Sequence, residues 1–409
     1  MTAAPRGPLS GFRVIDFTTM VAGPLGTQIM GDFGADVIKV ESLLGEDGRR
    51  LGAGRYRGSS TTYFAGMHRN KRTISLDLAR PQGRAVMLKL LDGADVLVQA
   101  VKPGTMEKWG LGYNEFLKDR FPKLVVCRIT GFGDTGPLGG LMGYDPLAQA
   151  YSGVLSMNGP ADGDPMRLGV SAVDASTGLY AAIGILTALH ERNASGRGQL
   201  VDLCLLDAAY TLMHPFTVHA LMADVRPKRM GSRHPDTVPT DVYPTLDGLV
   251  MVCILNDRQF VKLCEICGLE EIGRDPRYLT SQNRGQHAEF LFDAFRAAFA
   301  GQTKHDIAMR LLRAGVPAAP VLDVNEALAH PHVADHGMIV EGEHGYRAVG
   351  NPIKLRRTPA TLRHVPPVLG EHSREILAEI GFTEAEIGAL LDADVVRADG
   401  SDEDGKRET

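Results

Sequence analysis

The sequence predicts an α/β fold with a mostly parallel sheet, divided between a larger and a smaller domain. Three observations carry this. The 409 residues exceed the roughly 250–300 at which a single hydrophobic core stops growing. Short apolar runs alternate with helical stretches through the first half of the chain, which is the rhythm of βαβ units. Glycine, with 47 residues, exceeds an average usage of about 7%. It recurs at the ends of the apolar runs, where tight strand–helix turns use it.

From the N-terminus, Phe12–Phe17 (FRVIDF) is a short apolar run that reads as a buried strand. Thr18–Pro24 reads as a loop and Leu25–Phe33 as a short helix; Gly34-Ala35-Asp36 then turns the chain into a second strand at Val37–Val40. Strand, helix and strand in that order make a right-handed parallel crossover. Ala94–Val101 and Leu124–Ile129 are further buried strands, preceded by helical stretches at Pro81–Leu91 and Tyr113–Arg120. Ser176–Arg192, rich in Ala, Ile and Leu, predicts a buried helix that stops before Ala194-Ser195-Gly196. Gln199–Leu206 is a strand, followed by a helix from Asp207 to His214. The character changes near Val225: Arg226–Tyr243 is basic, rich in Pro and His and without periodicity, and reads as a linker. A strand at Gly248–Ile254 and helices at Asp257–Cys267 and Ala288–Phe299 predict the smaller α/β domain, and helices at Ser373–Ile380 and Glu384–Leu391 return to the larger one. The expected division is 1–224 with 325–396 for the large domain, 225–324 for linker and small domain, and a disordered charged tail at 397–409.

A formal net charge of −5 provides no basic surface and argues against a nucleic-acid partner. No stretch approaches the ~20 apolar residues of a membrane span, and Met1–Leu9 lacks the apolar run of a secretory signal. The expectation is a cytoplasmic protein with no membrane partner. An odd count of five cysteines does not form a disulfide framework, and the lone Cys264-x-x-Cys267 sits on an amphipathic helix as one buried and one half-buried thiol. His214, His219, His234, His330, His332 and His336 form no metal-binding spacing, so no metal is expected.

Four places invite chemistry. The loop Thr18–Gly26 follows a strand and precedes a helix, where a phosphate-bearing ligand sits. Its pattern is A-G-P-x-G and not G-x-G-x-x-G, and Glu41 alone stands near the ribose-binding position, so a dehydrogenase fingerprint is broken. Asp174, in Gly169–Gly178 (GVSAVDASTG), stands just before the buried helix. An Asp there is ordinarily a helix cap. The other reading is a nucleophile: a helix N-terminus stabilises an ionised carboxylate, and such a carboxylate attacks thioesters. Thr130–Pro137 (TGFGDTGP) and Gly143-Tyr144-Asp145 place glycines directly after a strand, suited either to ligand approach or to turn geometry. Asn70-Lys71-Arg72, Lys102-Pro103-Gly104 and Lys108 are cations beside loops that suit a phosphate or, more ordinarily, solvent. Arg233 and His234 in the linker have the charge for an acceptor carboxylate, and surface charge is their simpler reading.

Ordered along the chain, these pieces resemble one family. They are VIDFTTMVAG (Val14–Gly23), a helix and strand ending GADVIKVE at Glu41, NKRTISLD (Asn70–Asp77), ADVLVQAVKPGTMEKWGLG (Ala94–Gly112), Thr130–Pro137, GYDP (Gly143–Pro146), Val170–Gly178, GRGQLVDLCLLDA (Gly196–Ala208) and LGEHS (Leu369–Ser373). The chain resembles the family III CoA-transferases, which include formyl-CoA transferase and carnitine CoA-transferase and are related to α-methylacyl-CoA racemase. The resemblance implies a Rossmann-like large domain built from both chain ends, and an interlocked homodimer. It implies Asp174 as nucleophile, Val21, Ala22, Leu76, Lys102 and Lys108 lining the CoA site, and Thr130, Gly131 and Phe132 bordering the thioester. It further implies an acyl-CoA donor, a small carboxylic acid acceptor, dicarboxylates such as succinate, malate, mesaconate or citramalate among them, and CoA as substrate and product with no permanently bound cofactor. Tyr144, in the substrate pocket, stands where the racemase branch carries a His that serves as base; this favours transfer over isomerisation, since a tyrosine titrates near 10. A non-catalytic CoA-binding protein is the third reading. The family's Asn-Phe-Arg is here Ala100-Val101-Lys102, an Arg after the second strand is here Ser42, and the glycine run of formyl-CoA transferase has no counterpart in Arg226–Val242, which argues against oxalate.

Overall fold

The computed structural model describes residues 7–52, 54–58, 60–234 and 236–398. The chain forms two compact units: one holds the residues up to Val154, Leu168–Ala223 and those from His336 on, the other Leu155–Arg167 and Asp224–Asp335.

The first unit is built on a seven-stranded sheet. Its strands are β1 (Arg13–Phe17), β2 (Asp36–Glu41), β3 (Lys71–Leu76), β4 (Val96–Gln99), β5 (Val125–Thr130), β6 (Leu200–Cys204) and β12 (Val396–Arg397), while β10 (Ile339–Glu341) and β11 (Arg347–Val349) pair separately. Six run parallel in the order 3-2-1-4-5-6, the doubly wound arrangement, and β12 adds antiparallel to β3. Alternation along each strand divides the core. Val14, Val37, Val96 and Val125 pack with α1 (Ala22–Asp32) and a long helix at Ala172–Ser195. Ile15, Ile38, Leu97 and Val126 pack on the other face with α2 (Pro81–Asp92) and with helices at Ser373–Glu379 and Glu384–Asp392. In chain order, α2 is followed by α3 (Asp145–Ser152), α4 (the helix Ala172–Ser195), α5 (Leu205–Leu212) and α6 (Phe216–Ala223).

The second unit has a three-stranded antiparallel sheet, β7 (Asp241–Thr245), β8 (Gly248–Val252) and β9 (Ala318–Pro320). It packs with Phe260 and Leu263 of α7 (Asp257–Cys267) and with Leu291, Phe295 and Phe299 of the helix Ala288–Phe299. Arg284, 1% exposed, donates to the carbonyls of Val238 and Tyr278 and pairs with Asp257. Arg233 is taken up in the same way, by Asp241 and Glu289, with its guanidinium 3.9 Å from the ring centre of Phe292. Arg229 donates to the carbonyls of Ser156 and Gly163, which ties Leu155–Arg167 to this unit.

Several sequence expectations change. α1 begins at Ala22 and not Leu25, so Ala22 and Gly23 belong to its first turn. Tyr113–Arg120 is a wide five-residue turn over Tyr113–Leu117 followed by a single helical turn. Asn70-Lys71-Arg72 is neither a phosphate site nor a solvated patch. Lys71 opens β3 with no exposure and pairs with Asp16 at 2.8 Å, and Arg72 pairs with Asp36, Glu375 and Glu379. α4 is long and apolar enough by composition to cross a membrane, contrary to the expectation, and packs one face on α1, β5 and β6. Arg397, expected in the tail, is the last residue of β12 and pairs with Ser75; residues 399–409 lie outside the described residues.

Candidate active site

The C-terminal ends of the parallel strands open on one pocket, where the order reverses between β1 and β4. Open α/β sheets place their ligands at that switch point. The connection from β1 to α1 contributes Thr19, Met20, Ala22 and Gly23; the chain after β4 contributes Ala100, Val101, Lys102 and Pro103. Ile129, Thr130 and Gly131 come from the end of β5, Leu141–Tyr144 from the loop that follows, Leu205 from α5 and Asp174 from α4. Among the described residues, Lys102 and Asp174 are the only charged ones in this lining.

Asp174 lies inside the first turn of α4, which begins at Ala172. It does not cap the helix. Ser171, at the cap position, makes no side-chain bond either. The cap arrives from 29 residues upstream: Oδ2 of Asp145 accepts the N–H of Val173 at 2.8 Å and of Asp174 at 3.1 Å. Oδ1 of Asp145 accepts Gln149 Nε2 at 2.5 Å, and Gln149 Oε1 accepts the Leu168 N–H at 2.9 Å. Asp145 is 3% exposed and sits at the start of α3. It does the capping work, and the half-buried Asp174 carboxyl keeps its oxygens for the pocket.

The electrostatics run opposite to the sequence expectation. A helix N-terminus lowers a carboxyl's pKa, yet Asp174 is pushed up to about 7, first by burial and then by the charge of Asp145. The carboxylate that remains above neutral pH is poorly hydrated and correspondingly more basic.

Glycines set the distances. A Cβ on Gly178 would lie 2.6 Å from the carbonyl of Ala22, and one on Gly26 would lie 2.9 Å from that of Gly178. α1 and α4 therefore touch backbone to backbone one turn beyond Asp174, which draws the first turn of α1 to the pocket. No side chain caps α1 at Val21. Pro24 has no N–H and the Leu25 N–H donates to the Val21 carbonyl at 2.9 Å, so the donors this first turn can offer are those of Ala22 and Gly23. A Cβ on Gly131 would lie 2.4 Å from Cα of Gly143, so the loop after β5 closes on a glycine–glycine neck.

Of the residues singled out in the sequence, Ala22, Lys102, Thr130, Gly131 and Tyr144 gather with Asp174 around the pocket. Val21 adjoins it at the cap position of α1, and Phe132 is buried with its ring against Tyr151 at 5.4 Å. Lys108 is exposed on the short turn Thr105–Lys108. Leu76, 2% exposed, belongs to the core with Ile74 and Val86 and is not part of the pocket wall. Glu41 is occupied by Arg49 and Thr73, which removes it as a ribose ligand. The capping role of Asp145 escaped the sequence: the residue stands inside GYDP, but its partners are far along the chain.

Comparison with known proteins shows the family. The sequence profile described as CoA-transferase family III matches residues 9–373. The succinate–glutarate CoA-transferase of Agrobacterium fabrum is 37% identical over 93% of this chain and 98% of that protein. The succinyl-CoA–D-citramalate CoA-transferase of Chloroflexus aurantiacus is 34% identical over 94% of this chain and 97% of that protein. A CAIB/BAIF family protein from Brucella suis, solved as a crystal structure, superposes with a TM-score of 0.85 at 34% identity, over 92% of this chain and 100% of that one.

Proposed function

The chain belongs to CoA-transferase family III, and we propose that it moves CoA from an acyl-CoA donor to a carboxylic acid through covalent intermediates on Asp174. The observation that supports this is the relief of Asp174 from capping by Asp145, which leaves a basic, half-buried carboxylate on the pocket wall.

The Asp174 carboxylate adds to the donor's thioester carbonyl. The C–S bond breaks, CoA leaves as thiolate, and a mixed anhydride remains. The thiolate attacks the aspartyl carbonyl of that anhydride, the donor acid departs as carboxylate, and an aspartyl–CoA thioester forms. The acceptor carboxylate attacks that thioester, giving a second anhydride and CoA thiolate. Attack of the thiolate on the acceptor's carbonyl releases the new acyl-CoA and restores Asp174. No proton is transferred in any step, so the site requires no general base. Each addition creates an oxyanion, for which the uncapped first turn of α1 supplies N–H donors. Lys102 suits a phosphate of CoA, and the apolar wall of Ile129, Leu141, Met142 and Leu205 suits exclusion of the water that would hydrolyse the anhydrides.

Isomerisation is disfavoured because Tyr144 stands where a base would be needed. The acceptor is proposed to be a dicarboxylic acid, in keeping with the glutarate and citramalate in the names of the two relatives. The working form is proposed to be a homodimer: Leu179, Ile183 and Leu186 make an exposed apolar stripe along α4, and Leu221 and Met222 of α6 are exposed as well.

The test mixes the protein with acyl-CoA donors and candidate acids and follows CoA esters by mass. Wild type is expected to exchange them, and Asp174→Ala to lose at least about 10³-fold in kcat, as loss of a nucleophile does. Exchange that survives Asp174→Ala sinks the mechanism. Solvent deuterium entering the α-carbon of the ester sinks transfer in favour of isomerisation.

A further inference from the structure

Behind the pocket wall lies a cluster of buried charges that the proposed chemistry does not use. Asp16, at the end of β1, has no exposure. Its Oδ1 accepts the Thr18 N–H at 3.1 Å and the Thr18 hydroxyl at 2.5 Å; its Oδ2 accepts the Thr27 hydroxyl at 2.7 Å and Lys71 Nζ at 2.8 Å. Lys71 Nζ also donates to the carbonyl of Pro24 at 2.9 Å. Lys39, likewise without exposure, donates to the carbonyl of Thr18 at 2.7 Å and pairs with Glu46 at 2.7 Å. Thr27 Oγ1 lies 3.1 Å from the carbonyl of Gly23 and 3.2 Å from that of Pro24.

These bonds converge on one segment. Thr18 and Pro24 are the two ends of the connection that carries Thr19, Met20, Ala22 and Gly23 into the pocket. A buried lysine holds the carbonyl at each end. Between them Met20 has φ +68, a left-handed conformation that a non-glycine residue keeps only where its surroundings impose it. A Cβ on Gly23 would lie 2.4 Å from the Thr18 side chain, so the segment is also folded tightly on itself. A buried ion pair serving stability alone is replaceable by apolar side chains with little loss. This one is spent on carbonyls that flank a strained stretch of pocket wall.

We propose that Lys39, Lys71 and Thr27, organised by Asp16, are positioning residues that hold the Thr18–Pro24 segment so that the first-turn N–H groups of α1 meet the oxyanion formed at Asp174. This rests on the Asp174 reading. The residues touch no substrate; they act by fixing the direction of the donors, and donor placement is worth large factors in rate.

Two variants test it. Thr27→Val keeps the volume and removes the hydroxyl that joins Asp16 to the segment. Asp16→Asn with Lys71→Met removes the ion pair as a unit. Leu90→Ala, in the core on the opposite face of the sheet, serves as the stability control. Each protein is mixed rapidly with acyl-CoA, free CoA is followed by thiol titration, and the Asp174 adduct by mass. Thr27→Val is expected to slow adduct formation and kcat about tenfold with KM for acyl-CoA within about twofold, and Thr27→Ser to restore the rate. The double variant is expected to slow it further; if it does not fold, Thr27→Val decides alone. Adduct formation at the wild-type rate in folded Thr27→Val overturns the proposal, as does an equal slowing in Leu90→Ala. Absence of any adduct in wild type instead overturns the Asp174 reading on which it rests.

Discussion

Two aspartates border the Thr18–Pro24 segment, and the fold treats them in opposite ways. Asp16 is wholly buried. Burial alone would raise its pKa, but the charges of Lys71 and Lys39 outweigh that and hold the carboxyl far below its usual range. Asp174 is only partly buried, and it is pushed up to about 7, first by that burial and then by the charge of Asp145, with no cation bonded to it among the described residues to offset them. The lesson is that burial raises both carboxyls and does not alone decide whether one is an anchor or a reagent. The count of cations and donors around it does. Pairs of titratable groups driven apart by their surroundings mark a division of labour in an active site.

The comparison can be broken from either side. The largest expected effect on stability belongs to Asp16→Ala, which strands the buried Lys71 without its counter-ion. It should lower unfolding stability by about 3–5 kcal/mol, read by denaturant titration, and a loss below about 1 kcal/mol would show that the cluster is solvated or dispensable. Asp174→Asn should act in the opposite direction. A carboxyl at about 7 in the folded chain, against about 3.9 unfolded, binds a proton in the folded state over that window. Stability therefore falls as pH rises between those values and is flat above. The Asn variant lacks this loss and should exceed wild type by on the order of 1–3 kcal/mol at pH 8, with no difference below pH 4. A variant no more stable than wild type at pH 8 would mean that Asp174 ionises freely. The smallest effect sharpens the contrast within the site. Exchange needs the ionised carboxylate, so kcat should rise with pH through about 7. Removing the neighbouring charge in Asp145→Asn should move that midpoint down by about 1 unit, and an unmoved midpoint would remove Asp145 from the electrostatic account.

What could be read in the sequence followed from proximity along the chain. Apolar runs such as Arg13–Phe17 and Val125–Thr130 announce themselves because both faces are covered. The helix before Gly196 is legible by its periodicity, but its first turn is not. Ala172–Ala175 has no apolar repeat, so Asp174 looks as if it precedes the helix. β3 was hidden for a related reason. Lys71 and Arg72 look like surface charges until Asp16 and Asp36, far upstream, are brought beside them. Asp145 was equally unreadable as a cap, because capping rules look one to three residues away and its partners begin at Val173. The pocket residues that could be named in advance came from ordered motifs; the contacts that tune them are long-range in sequence.

The route of the chain through its cores bears on synthesis. The core of the second unit is drawn from residues between Val238 and Ala318, an unbroken stretch of polypeptide apart from its surface loops. The core on one face of the large sheet needs Ile376, Leu377, Ile387, Leu390 and Val396, and β12 must add beside β3. A ribosome therefore finishes the second unit's core before this face of the large sheet, while β3 still waits with an open edge. An unfinished sheet edge is a place for mispairing during translation. The charged residues that begin β3 stand at that edge during the interval.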